Sequence, residues 1–81
     1  MEVNDIIKEV NTIFIQVLDN ENVKIDSQTT ANDVEEWDSL THIQLVVAIE
    51  KHFKMRFTAS EIQGFMNVGE MCQAIKIKLG S

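Results

Sequence analysis

The sequence predicts an all-α fold of four helices: three main helices, a short third one and a long loop between the first and second. Three observations lead there. Apolar residues recur at three- and four-residue steps in separate segments, helix-start signals stand ahead of three of those segments, and no strong strand alternation or internal repeat interrupts them. With 81 residues, the chain is read as one domain, residues 1–81.

The first segment carries Val3, Ile6, Ile7, Val10, Ile13, Phe14, Val17 and Leu18 at helical spacing, with Glu2, Asp5, Lys8, Glu9 and Asn11 on the polar side. The turn formers Asp19-Asn20-Glu21-Asn22 end it. Residues 19–38 then read as a long loop, with Val23, Ile25, Val34 and Trp37 as anchors into the core. Loops of that length are uncommon in compact domains and are often functional.

A second helix is expected from Ser39 to Lys54. Asp38 suits its N-cap, since a carboxylate there accepts the free amide protons of the first turn, and Trp37 can pack back as a staple. A short third helix is expected near Thr58–Gln63, where Thr58-Ala59-Ser60-Glu61 has capping-box spacing. The last opens at Asn67-Val68-Gly69-Glu70 and carries Val68, Met71, Ile75 and Leu79 on one face. Together these make a helical bundle.

Composition excludes several classes. Thirteen acidic against seven basic residues give a net charge of −6, and no Lys/Arg-rich stripe exists to grip a phosphate backbone. Acidic balance steers the chain toward basic partner surfaces. Three glycines and no proline rule out a linker or collagen-like chain. A chain this short has little room for a water-excluding catalytic pocket. No apolar run reaches membrane-span length and no signal peptide opens the sequence, so a soluble cytoplasmic protein is expected. Cys72 is the only cysteine, which leaves no internal disulfide.

The second helix is apolar on two sides. On a wheel of 100° per residue with Ile43 at zero, Val47 lies at about 40° and Leu40 at about 60°. Leu45, Val46, Ile49 and Phe53 gather between about 200° and 300°. The larger stripe, with Phe53, is the expected core face. Leu40, Ile43 and Val47 form a second, narrower stripe beginning beside Ser39. Spacing alone leaves two arrangements open: a helix buried on both sides, or an exposed docking stripe beside a serine hydroxyl.

The stretch Glu36-Trp37-Asp38-Ser39-Leu40-Thr41-His42-Ile43, followed by Gln44-Leu45-Val46-Val47-Ala48-Ile49-Glu50-Lys51-His52-Phe53, resembles an acyl carrier protein. The likeness rests on Asp38-Ser39-Leu40 at a helix start, the long first helix and loop, and Asn67-Val68-Gly69-Glu70. It implies a non-catalytic carrier whose Ser39 bears 4′-phosphopantetheine, with Asp38 and Leu40 beside the attachment point. A phosphopantetheinyl transferase using coenzyme A and Mg²⁺ would install the arm. Acyl-transferring, condensing or ligase enzymes would then act on an acyl thioester, with no nucleic acid, no membrane span and a monomeric carrier. The resemblance favours the exposed stripe, with Leu40, Ile43 and Val47 and the acids Glu35, Glu36, Glu50 and Glu61 as partner-docking residues. Serine at a helix mouth also suits a phosphate, through amide protons and the dipole.

The sequence departs from the fatty-acid-synthesis members at Thr41, Gln44, Lys51 and His52, which are commonly acidic there, and at Trp37, commonly small. Lys54 and Arg56 follow. A specialised pathway, such as polyketide, nonribosomal peptide or modified-glycan synthesis, fits better. The alternatives are a peptidyl or D-alanyl carrier and a non-carrier helical interaction module using the same stripe.

Other groups read as structural. Ser39, His42 and Asp38 do not form a hydrolase triad, because His42 points toward the core stripe and one helix turn leaves no oxyanion site. His52 reads as a surface histidine. The segment from Asp19 misses the calcium-loop pattern at Val23, Lys24 and Thr30, so no metal site is expected. Cys72 reads as a small buried or half-buried hydrophobe, and Met55, Met66 and Met71 as adaptable packing near the third helix.

Overall fold

The computed structural model describes residues 2–80. Four helices follow one another: α1 (Val3–Leu18), α2 (Ser39–Phe53), α3 (Ala59–Gly64) and α4 (Val68–Lys78). No strand occurs among the described residues. α1 packs against both α2 and α4. It brings Ile6, Val10, Ile13 and Phe14 to the core, where they meet Leu45, Val46 and Ile49 of α2 and Val68, Met71, Cys72 and Ile75 of α4. The burial of these apolar surfaces is the main stabilising term.

The helix ends follow local chemistry. Asp19 ends α1 in the left-handed region (φ 53°), a conformation that aspartate tolerates better than most residues. Lys54 caps α2 in the same way (φ 56°), so the last helical residue is Phe53, one before the expected end. Thr58 and Glu61 form the reciprocal capping box of α3. The Asn67 side chain caps α4 by accepting from the Glu70 amide at 2.8 Å.

Between α1 and α2 the chain forms successive turns rather than an open loop. Asn11 Oδ1 on α1 accepts from the Ile25 amide at 2.8 Å. The Asp26 carboxylate accepts from the Gln28 amide and the Thr29 hydroxyl, and Asp33 accepts from the Thr30 amide. These acids are spent on their own turns. Val23, Val34 and Trp37 are buried, as expected of anchors, and Ile25 packs partly buried against the same core.

The loop is also pinned to α4. The Val68 amide donates to the Thr29 carbonyl at 2.9 Å, and the Gly69 amide to that of Ser27 at 2.8 Å. A Cβ on Gly69 would lie 2.6 Å from the Ser27 carbonyl oxygen, so glycine is required here by close approach.

Three packing expectations need correction. Phe53 is only partly buried, because it sits at the last turn of α2, where its ring meets His52 edge-on at 4.8 Å rather than the centre of the bundle. Met66 is 75% exposed and Leu79 37%, since one precedes α4 and the other follows it. Phe57, which helical spacing did not single out, is buried and packs edge-on against Phe65 at 5.1 Å.

Candidate functional site at the start of α2

Asp38, Ser39 and Leu40 form the first turn of α2. Asp38 Oδ1 accepts from the Leu40 and Thr41 amides, each at 2.9 Å, and the Thr41 hydroxyl accepts from the Asp38 amide at 2.8 Å. Thr41 then donates to the Glu36 carbonyl at 2.8 Å, which fixes the chain entering the helix. The Thr41 amide, foremost, with the Thr41 hydroxyl and Leu40 amide, holds the Asp38 carboxyl below its ordinary range.

This closes a box around Ser39 while leaving Ser39 itself outward. The residue is exposed, and its hydroxyl makes no hydrogen bond among the described residues. The expectation that free amides of this turn would receive a phosphate is thereby narrowed. Asp38 already occupies those of Leu40 and Thr41, and what remains is the dipole and the Ser39 amide.

Trp37 packs back as a staple, with an added polar contact. Its indole stacks on the His42 ring at 6.0 Å and meets Phe14 edge-on at 5.0 Å. Trp37 Nε1 donates to His42 Nδ1 at 3.1 Å, and His42 Nε2 lies 2.9 Å from the Ile62 carbonyl of α3. Both imidazole nitrogens are thus used away from Ser39, which removes the base a hydrolase triad needs.

A cavity of about 450 Å³ opens beside Ser39, its walls including Trp37, His42, Ile43, Ile62, Phe65 and Met66. Its lining is mostly apolar, and Asp38 is the only charged residue on it. The sequence does not single out Ile62 and Phe65, and Met66 reads there only as adaptable packing near the third helix. They become neighbours of Ser39 only because α3 folds back against α2.

The apolar question on α2 is settled by burial. Leu40 is 69%, Ile43 52% and Val47 43% exposed, whereas Leu45, Val46 and Ile49 are buried. The narrow stripe runs outward from Ser39 along the helix. Glu35 and Glu36 are exposed in the turn before it, Glu36 accepting from Asn20 Nδ2 at 2.7 Å.

The other two acids are engaged within the fold. Glu50 accepts from the Phe57 amide at 2.9 Å. The Glu61 carboxyl, held below its ordinary range by the Thr58 amide first and Lys78 second, pairs with Lys78 at 2.9 Å. Cys72 is fully buried in α4, and burial pushes its thiol up to about 12. No helix among the described residues is long and apolar enough to cross a membrane.

An exposed serine at a helix mouth, bordered by an apolar cavity, fits a phosphodiester-linked arm: the hydroxyl is free and the space beside it is open. The family model described as a phosphopantetheine attachment site matches residues 8–75. The solution structure of a holo acyl carrier protein from Geobacter metallireducens is similar at 37% identity and a TM-score of 0.84, covering 90% of this chain and 84% of that one. No curated protein sequence matches significantly. The family model and the holo relative together imply a covalently attached 4′-phosphopantetheine. The chain belongs to the phosphopantetheine attachment-site family and has the helical bundle of an acyl carrier protein.

Proposed function

We propose that Ser39 is the attachment point and that the chain carries acyl intermediates for a specialised biosynthetic route. The observation that carries this is the free Ser39 hydroxyl at the edge of the apolar cavity. When bound, the arm supplies a thiol that holds cargo as a thioester. The chain's own residues do the rest: Asp38 and Thr41 fix the turn, Ser39 presents the hydroxyl, and Leu40, Ile43 and Val47 offer an apolar docking strip.

The apolar lining supports an acyl cargo over an aminoacyl one, because a charged ammonium would be desolvated there and Asp38, the carboxylate on the lining, is engaged in the cap of α2. A peptidyl or D-alanyl carrier is the second reading. Lys51, Lys54 and Arg56 support partners other than those of standard fatty-acid synthesis. The chain is read as a monomeric cytoplasmic carrier, a single domain that catalyses nothing itself.

The test is intact mass after incubation with coenzyme A, Mg²⁺ and a broad-specificity phosphopantetheinyl transferase. The chain gains one phosphopantetheine and Ser39→Ala gains none. A folded chain that stays unmodified with several such transferases would shift the reading to an interaction module. Loading with fatty acyl against aminoacyl groups then separates the two carrier readings.

A further inference from the structure

The docking strip has two poles. At one end stand Glu35, Glu36 and Asp38, all exposed. At the other, Lys51, Lys54 and Arg56, also exposed, border a depression of about 490 Å³ that they share with Val47 and Met55. Lys51 falls at about 80° on the helical wheel, beside Leu40 and Val47, so the apolar strip leads directly into the basic group. The two ends lie about 18 Å apart along the axis, from Ser39 to Lys51 at 1.5 Å per residue.

Among the described residues these cations have no ion-pair partner. The ion pairs among the described residues are His52–Glu9, Lys76–Glu2 and Lys78–Glu61. Glu50 faces the same depression, but its carboxylate accepts from the Phe57 amide. Lys51 and the C-cap Lys54 complement the C-terminal dipole of α2; Arg56 lies two residues past the cap, where that explanation does not reach.

Building on the carrier reading above, we infer that this surface selects a partner protein with acidic side chains opposite Lys51, Lys54 and Arg56, and basic ones near Ser39. Charge complementarity carries the inference: a uniformly basic docking face would meet three unpaired cations at the far end of the strip. A protein fits better than an anionic membrane or nucleic acid, because the whole chain carries a net charge of −6.

The experiment uses the chain and K51E/K54E/R56E, both first converted to the phosphopantetheine form, loaded with malonate as the thioester and checked by mass. The probe is a condensing enzyme with a basic carrier-docking face, in native form and with the bases opposite the distal half of α2 replaced by glutamate. The chain should show a KM about tenfold lower with the acid-substituted enzyme, and the variant the reverse, with kcat unchanged. Equal KM values in all four pairings would overturn the inference. So would binding to phosphatidylglycerol vesicles that the variant loses, which assigns the cations to a lipid surface. If the triple variant does not fold, K54E/R56E, which leaves the dipole-complementing Lys51 in place, gives the same comparison. Absence of any mass gain would instead overturn the carrier reading, and the inference with it, before docking is measured.

Discussion

His42 accepts the Trp37 indole hydrogen on Nδ1 and meets the Ile62 carbonyl with Nε2, so one imidazole joins the entry loop, α2 and α3. An indole only donates and a carbonyl only accepts, so these two contacts match the tautomer with its hydrogen on Nε2. The cavity wall beside Ser39 therefore rests on a chain of two hydrogen bonds through a single side chain.

His42→Phe keeps a ring in place and removes both bonds. It should destabilise the fold by about 1–3 kcal/mol, since the indole N–H and the Ile62 carbonyl lose their partners in a part-buried place. The readout that separates this from lost packing is the Trp37 indole N–H resonance, which should shift and exchange faster with solvent. An unchanged resonance would mean that the bond carries no weight.

The cap of α2 predicts a pH dependence with a definite sign. The Asp38 carboxyl is held below 3.8, its ordinary value, so its contribution to stability is complete above that value. It is lost as pH falls through the lowered folded-state value. Asp38→Asn lacks the titration, so the gap in Tm between the chain and this variant should narrow as pH falls below about 4. A gap constant across that range would show that the carboxylate's charge is not what stabilises the turn.

Two phenylalanines should behave differently. Phe14 is fully buried against Trp37, and Phe14→Ala should cost about 3–5 kcal/mol in denaturant unfolding. Phe53 is only partly buried, and Phe53→Ala should cost clearly less. On the outer strip, Ile43→Glu and Val47→Glu should leave the midpoint within about 0.5 kcal/mol of the parent. Unfolding of either would return the strip to the core.

Cys72 bears on how the arm is detected. A fully buried thiol whose pKa is raised to about 12 stays protonated at neutral pH and out of reach of alkylating reagents. The folded unmodified chain should therefore resist iodoacetamide at pH 7.5 and react once denatured. Rapid labelling of the folded Ser39→Ala protein would contradict this.

Much of this architecture is legible locally. Three of the four helix starts are announced by a residue whose side chain can accept the free amides ahead of it, and Asp38, Thr58 and Asn67 all do so. The apolar spacing of α1 maps directly onto its buried face. Other features depend on partners distant in sequence. Thr29 is buried and Gly69 is obligatory because the loop and α4 exchange backbone hydrogen bonds, and neither segment signals the other. Phe53 is less buried than its spacing predicts, because helical spacing gives a side chain's direction but not where the neighbouring helices end.

The residues alone determined the helices, the cap at Asp38, the serine at position 39 and the two apolar stripes of α2, because capping and periodicity act over four residues or fewer. Spacing left open whether the narrower stripe is buried or faces outward, and tertiary packing decided it. α1 packs against the face of α2 that carries the buried Leu45, Val46 and Ile49, whereas Leu40, Ile43 and Val47 stay exposed. The cavity beside Ser39 likewise exists only once α3 is held against α2 through His42 and Ile62, twenty residues apart in the chain. Burial depends on which surfaces meet, and that is a property of the assembled fold.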